Sequence, residues 1–187
     1  IFISFIDEKN KKSPKFNSYI FSCIIIITGH KLNISILYGG DSSEHKISIQ
    51  TGLAIAEAIK DRYNLDMINL ESEIYSAPQL LLGADLVFNA LHGGDGENGS
   101  IQSFLDLHHI PYTGSGAKPC KIAMDKNITK LIAKSVDIPT PNWILLKRNQ
   151  HTGIQLHDNQ SPKFSYPYVV KPSSEGSTFG LTIVKEE

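Results

Sequence analysis

The stretch "DLVFNALHGGDGENGSIQ", from Asp85 to Gln102, decides the fold. Its first seven residues are almost continuously apolar, which is typical of a parallel strand that is buried on both faces. A glycine-rich loop follows, and from Ser100 to about His108 the apolar residues recur at helical spacing, with Ser100 as the expected helix cap. The stretch therefore predicts a strand, a tight loop and a helix, as in a βαβ unit.

The same alternation of strands and helices continues on both sides of this stretch. In chain order, the other predicted elements are a strand at "NISILY" (33–38), a helix at 47–59, a strand at "LDMINL" (65–70), a short helix at "APQLLLG" (77–83) and a short strand at "IPYTG" (110–114). We therefore predict an α/β protein in which residues 32–118 form a doubly wound parallel-sheet domain.

Residues 119–187 predict the beginning of a second domain. One or two helices in "KPCKIAMDKNITKLIAKSVDIPTPNW" are expected to end at Pro139 and Pro141. Strands are predicted at "WILLK" (143–147), at "YPYVVK" (166–171) and within the last nine residues, and the polar segment 148–165 is predicted to be a loop.

Composition limits the partners and the compartment. The formal net charge is -1, from 18 basic and 19 acidic residues, so we expect neither nucleic acid nor a membrane as a partner. The two cysteines, Cys23 and Cys120, have no metal-binding or redox spacing, which suits a reducing compartment. We therefore expect a cytoplasmic protein.

Residues 1–31 differ from the rest of the chain. A basic segment, "KNKKSPK", precedes the apolar run "YIFSCIIII", which is too short for a bilayer that needs about 20 apolar residues. The run resembles the apolar region of a signal peptide, but the small-residue cleavage pattern is missing. We expect a leader or appended segment that is not part of the fold.

Three glycine-rich loops each follow a predicted strand: "YGGDSSEH" (38–45), "LHGGDGENG" (91–99) and "KPSSEGSTFG" (171–180). Ligands bind at the carboxyl ends of parallel strands, where glycines allow backbone amides to approach anionic groups. The first loop lacks the G-x-G-x-x-G pattern of dinucleotide-binding proteins. Each loop alone is better explained as a turn, but three together predict a shared polar site.

The segments "GGDSSEHKIS", "NALHGGDGENGSIQ", "IPYTGSG", "MDK" and "YPYVVKPSSEGSTFG", in this order, resemble the N-terminal half of a D-alanine-D-alanine ligase of the ATP-grasp superfamily. The resemblance implies a pre-ATP-grasp domain followed by the start of an ATP-grasp α+β domain. It also implies ATP-dependent joining of two D-alanines through an acyl phosphate, for peptidoglycan precursors. Family members use Mg, with ligands expected beyond Glu187, and are commonly homodimers, so we expect the chain alone not to complete the reaction.

The resemblance assigns roles around the first substrate. Glu44 matches a glutamate that contacts the ammonium of the first D-alanine, and His92 matches a histidine near that substrate. Ser177 matches a serine that is hydrogen bonded to the glutamate, so Glu44 and Ser177 are the expected catalytic residues. Alternatively, Glu44 is an acid at a helix start that the helix dipole stabilises, and His92 is an ordinary turn or core residue.

Other residues of the second loop are expected to shape it. Glu97 and Asn98 are predicted to form hydrogen bonds within the loop. Gly93, Gly96 and Gly99 are expected to supply backbone conformations that are closed to other residues. The loop would then fold tightly beside a small amino acid.

The resemblance also implies an ATP site. Lys126 and Lys171 match two lysines that hold the nucleotide phosphates, a task that suits a compact ammonium. A flexible loop would cover those phosphates, and its expected ATP-binding members are Gly176, Ser177, Thr178 and Gly180. Alternatively, Lys126 lies on a helix surface and the loop is a plain hairpin turn.

Two departures from the family pattern and two other functions remain. Lys46 replaces an acidic residue of the family, and Thr178 replaces a serine but keeps the hydroxyl. Selection of the second substrate depends on residues past Glu187, so a D-alanine-D-lactate or D-alanine-D-serine ligase stays open. A non-catalytic remnant or ligand-binding module is the alternative outside the enzymes.

Overall fold

The computed structural model describes residues 31–70, 81–149, 153–156 and 165–186. Residues 1–30 of the predicted leader lie outside this part, as do residues 77–80 of the short helix predicted at 77–83. Within the described residues, no helix is both long enough and apolar enough to cross a bilayer.

The first part of the chain is built on a three-stranded parallel sheet. Its elements in chain order are β1 (Asn33–Gly39), α1 (His45–Ile59), β2 (Asn64–Leu70), β3 (Leu86–Asn89), the short helix α2 (Gly94–Glu97) and α3 (Ser100–Leu107). The strand order is β2-β1-β3 and both pairings are parallel. The chain therefore leaves β1 towards one edge of the sheet and returns for β3 on the other side, which makes the end of β1 a topological switch point.

The pleat of β1 divides the core between the two faces of the sheet. Ile34 and Ile36 are buried in a cluster that includes Ile55 of α1. Leu37, which points to the opposite face, is fully buried with Ile101 and other apolar residues of α3. Helices therefore cover both faces, and the predicted doubly wound arrangement is confirmed.

Two local predictions near α3 differ from the structure: the helix cap is wrong, and the strand predicted after the helix is too long. The helix cap is Gly99, with φ at +94°, and not Ser100, which is already the first helical residue. The reason is Asn98, whose Oδ1 accepts the Ser100 N–H at 2.9 Å and so replaces a serine cap. The strand expected at 110–114 is a single bridge between Tyr112 and Val87.

The second part contains two helices, as one of the predicted options required. These are α4 (Ala117–Met124) and α5 (Lys126–Ser135). Asp125 separates them because its side chain accepts the N–H groups of Asn127 and Ile128, at 2.9 and 3.0 Å, and caps α5.

Two antiparallel hairpins complete the described chain. Strands β4 (Leu146–Asn149) and β5 (Gly153–Leu156) pair with each other, as do β6 (Tyr168–Val170) and β7 (Thr182–Val184). Strand β4 begins later than the predicted 143, and β5 lies inside 148–165, which was wrongly predicted to be a loop. The apolar residues of β5 alternate over only four positions between polar flanks, so the pattern was too short to outweigh its surroundings.

Candidate functional site

The loop after β1 is folded by its own side chains. Ser42 Oγ accepts the Glu44 N–H at 3.1 Å, and the His45 ring donates from Nδ1 to the Gly40 carbonyl at 2.5 Å. Glu44 occupies the N-cap position of α1, but its carboxylate makes no capping hydrogen bond. The carboxylate at this helix start is therefore directed elsewhere.

The loop after β3 is joined to this first loop. Ser42 Oγ donates to the His92 carbonyl at 2.5 Å, across 50 positions of sequence. Gly93 follows with φ at 66° and ψ at -179°, and a Cβ there would lie 2.8 Å from Glu44 Oε2. The Glu44 carboxylate thus packs directly against the bare backbone of Gly93.

The remainder of the second loop is held at the Gly96 carbonyl. That oxygen accepts from Asn89 Nδ2 at 2.9 Å and from buried Gln102 Nε2 at 2.8 Å. Gly96 lies within the short helix α2, so its role differs from the predicted one: a Cβ would lie 2.3 Å from Leu91 Cβ. A glycine is therefore required at position 96 because there is no room for a side chain, and not because its φ is unusual.

Asn98 shapes the end of the same loop, as predicted. Its Nδ2 donates to Asp95 Oδ1 at 3.1 Å, while its Oδ1 accepts the Ser100 N–H. Glu97 has a different neighbour, because its Oε1 lies 3.8 Å from His92 Nδ1. Contacts between residues of the loop itself, and with Ser100 just after it, therefore hold its conformation.

The His92 ring is oriented by α1. Its Nε2 is hydrogen bonded to Thr51 Oγ1 at 2.9 Å, and the side chain keeps 33% of its accessible surface. His92 is thus neither a core residue nor a freely rotating surface residue. Thr51 was not predicted, although it lies about two helical turns after Glu44 and therefore on the same face of α1.

The third glycine-rich loop, between β6 and β7, reaches the Glu44 carboxylate. Ser177 Oγ donates to Glu44 Oε1, although the two residues are 133 positions apart. A Cβ on Gly176 would lie 3.6 Å from Glu44 Oε2. The loop is therefore more than a plain hairpin turn, since it connects two strands and also contacts a carboxylate of the loop after β1.

The backbone of this third loop is unusual. Ser177 and Thr178 have φ values of 44° and 62°, in the left-handed region that L-residues other than asparagine and aspartate rarely enter. Such conformations persist only where the surroundings impose them, and they cluster at ligand sites. Gly180 also has a positive φ and packs against Pro172.

The lysines lie at the other end of the loop. Lys126 Nζ donates to the carbonyls of Ser173, at 3.3 Å, and of Glu175. Burial lowers the pKa of Lys126, and the nearby charge of Lys171 lowers it further. The two predicted phosphate-binding lysines are therefore close enough for their charges to repel each other.

Lys130 belongs to the same basic cluster but was not predicted. Its Nζ donates to Thr140 Oγ1 at 2.9 Å and to the Pro141 carbonyl at 3.0 Å. Burial, and then the Lys171 charge, lower the pKa of Lys130. Its spacing of one helical turn from Lys126 was the available signal in the sequence.

The structure thus groups the predicted residues at two adjacent places. The first contains Glu44, Gly176 and Ser177, beside the loop that carries His92. The second contains Lys126 and Lys171. In the described residues, no group of three or more histidine, cysteine, aspartate or glutamate side chains is placed to hold a metal ion.

This arrangement defines a class of protein. A carboxylate with one serine partner can accept a substrate cation, and neighbouring ammonium groups can hold an anion. Glu44 follows β1 at the switch point of the parallel sheet, where α/β proteins bind small molecules. The class is an α/β protein in which a glycine-rich loop contacts a carboxylate at the switch point of a parallel sheet.

Comparisons with known proteins identify the family. Residues 71–115 match the family model described as the D-ala D-ala ligase N-terminus, and residues 132–187 match the D-ala D-ala ligase C-terminus. The D-alanine--D-alanine ligase of Coprothermobacter proteolyticus is 39% identical over 155 residues, which are 82% of this chain and 50% of that relative. The chain belongs to the D-alanine-D-alanine ligase family.

Solved structures agree with this assignment and with the predicted fold class. The crystal structure of D-alanine--D-alanine ligase from Bacillus anthracis has a TM-score of 0.70 and 33% identity, over 83% of this chain and 50% of that one. The same ligase complexed with ATP has a TM-score of 0.69 and 31% identity, over 84% of this chain and 50% of that one. The chain spans about half the length of the curated relatives it matches.

Proposed function

We propose that the protein takes part in ATP-dependent ligation of two D-alanines to D-alanyl-D-alanine, for peptidoglycan precursor synthesis. In this reaction the γ-phosphoryl group of ATP is transferred to a carboxylate oxygen of the first D-alanine, and ADP leaves. The amine of the second D-alanine then attacks the acyl carbon, and phosphate leaves. Relatives that match most of the chain carry the name of this ligase.

The contact between Ser177 and Glu44 carries the proposal. It joins the loop after β1 to the loop after β6 and leaves the second oxygen of the carboxylate beside Gly93. An ammonium group bound at that oxygen would make a charge-assisted hydrogen bond in a partly buried place. We assign Glu44 to the ammonium of the first D-alanine, with Ser177 fixing the carboxylate and His92 lining the site.

The basic cluster supports the nucleotide half of the proposal. Lys126 and Lys171 would hold the phosphates, and the loop containing Gly176, Ser177, Thr178 and Gly180 would cover them. Anionic oxygens beside these lysines would relieve their mutual repulsion. The B. anthracis relative has been solved complexed with ATP, which supports ATP as the nucleotide.

Magnesium is the part of the proposal that the described residues do not supply. Phosphoryl transfer from ATP needs cations to neutralise the developing charge. Since no group of three ligands is found among the described residues, we assign no residue of this chain to the ion. We further propose a cytoplasmic homodimer without nucleic acid or membrane partners, as the composition and the family resemblance suggested.

The test is D-alanine-dependent release of phosphate from ATP by the protein expressed from the complete gene, with L-alanine as control. Glu44→Gln keeps the shape of the side chain but removes its charge. It should weaken binding of the first D-alanine by about 1.5 to 3 kcal/mol, the range for a hydrogen bond to a charged group. An unchanged KM for D-alanine would remove Glu44 from this role.

Competition experiments distinguish the related activities. If D-lactate or D-serine replaces the second D-alanine with a higher kcat/KM, the protein is a ligase of that type. If D-alanine causes no phosphate release in any combination, the ligase proposal is wrong and a ligand-binding module remains.

A further inference from the structure

Ser42 lies between the first two glycine-rich loops and bonds to both. Its hydroxyl accepts the Glu44 N–H at 3.1 Å and donates to the His92 carbonyl at 2.5 Å. The Ser42 hydroxyl therefore links the backbone of Glu44, in the loop after β1, to the backbone of His92, in the loop after β3.

The second loop is shaped to accept this serine. A Cβ on Gly93 would lie 3.3 Å from Ser42 Oγ, and a Cβ on Gly94 would lie 3.3 Å from Ser42 Cβ. The loop thus packs closely against Ser42 as well as against the Glu44 carboxylate. Any shift of Ser42 changes the contact between Glu44 and the loop.

We propose that Ser42 is a positioning residue for substrate binding: it fixes the Glu44 carboxylate relative to the loop that carries His92. This role rests on the proposed function. The carboxylate lies at the end of a side chain with several rotatable bonds, so its location depends on how the first turn of α1 is held. Without the hydroxyl, the Glu44 N–H and the His92 carbonyl both lose their partner, and the turn is free to move away from β3.

The distinguishing experiment is a double-mutant cycle in the protein expressed from the complete gene. Ser42→Ala adds no atom and removes only the hydroxyl. We expect it to raise the KM of the first D-alanine site about tenfold, which is ~1.4 kcal/mol, with kcat and the KM for ATP changed by less than about twofold. In the Glu44→Gln background, the same substitution should raise this KM by less than about twofold, because the positioned charge is gone.

Ser43→Ala is the matched control, since Ser43 is the exposed neighbour in the same turn. It should leave the KM for D-alanine unchanged. A purely structural role of Ser42 would instead give equal effects of Ser42→Ala in both backgrounds, or a fall in kcat at constant KM, and either result would overturn the inference.

Hydrogen exchange gives a second readout that does not depend on turnover. Ser42→Ala should accelerate exchange of the Glu44 amide, whereas Ser43→Ala should not. Equal exchange rates in both variants would overturn the positioning role of Ser42. Absence of D-alanine-dependent turnover in the unsubstituted protein would overturn the proposed function together with this role, while turnover with an unchanged KM in Ser42→Ala would overturn only the role of Ser42.

Discussion

Replacing Gly93 with alanine tests whether the second loop is built around the Glu44 carboxylate. Gly93 has φ at 66° and ψ at -179°, in a region that is essentially restricted to glycine, and a side chain there costs about 1 to 3 kcal/mol. The new Cβ would also lie 2.8 Å from Glu44 Oε2. The carboxylate is the end of a flexible side chain, so it would move at small cost in stability but would leave its binding position.

We therefore expect two effects of different origin. The free energy of unfolding should fall by about 1 to 3 kcal/mol because of the backbone strain. The KM for D-alanine should rise because the carboxylate is displaced. Urea denaturation followed by circular dichroism measures the first effect, and phosphate release measures the second.

Gly83→Ala separates the two effects. Gly83 has φ at +97°, but nothing lies within 4 Å of a Cβ built there, so the substitution adds backbone strain far from the site. It should lower the stability and leave the KM for D-alanine unchanged. The reasoning would be refuted if Gly93→Ala were as stable as the unsubstituted protein, or if both variants raised the KM equally.

Two further predictions concern the packing of the first domain and its response to pH. Gly96→Ala should destabilise the protein by about 1 to 3 kcal/mol through overpacking, since its Cβ would lie 2.3 Å from Leu91 Cβ; a change below about 0.3 kcal/mol in urea denaturation would contradict this. Burial, together with the hydrogen bond to Asp106, raises the pKa of Tyr112 from 10.0 to about 12. The folded state then keeps the proton where the unfolded state loses it, so this contribution to stability is complete below pH 10.0 and is lost as the pH rises through about 12. The fall in unfolding free energy between about pH 9 and pH 11 should be smaller in Tyr112→Phe, and an equal fall in both proteins would refute the assignment.

Much of the fold around the parallel sheet was predictable because its signals are local. The apolar run at β3 and the periodicity of α1 each extend over enough residues to identify one type of element. The predictions failed where the pattern was short or ambiguous. Four residues of β5 between polar neighbours read as a loop, and Ser100 read as a cap because the sequence does not show that Asn98 already satisfies its N–H.

The expected site residues came from the family resemblance, while the contacts among them came from the structure. Gly96 illustrates the limit of reasoning from composition. A glycine in a loop suggests a positive φ, but this one is helical and is required because Leu91 leaves no room for a side chain. Only the folded structure shows that Leu91 is the neighbour that excludes a side chain at position 96.

Ser42 illustrates a different limit, because half of its signal was present in the sequence. A serine two residues before the N-cap of a helix can accept the N–H of that cap residue, as Ser42 does with Glu44. Its second bond, to the His92 carbonyl, depends on β1 and β3 being adjacent and parallel, with their carboxyl ends at one edge of the sheet. The loop after β1 also contacts Ser177, through the Glu44 carboxylate. The strand order therefore allows a serine of a local turn to connect two loops. The Ser42 variant tests this connection in the first loop, and the Gly93 variant tests it in the second.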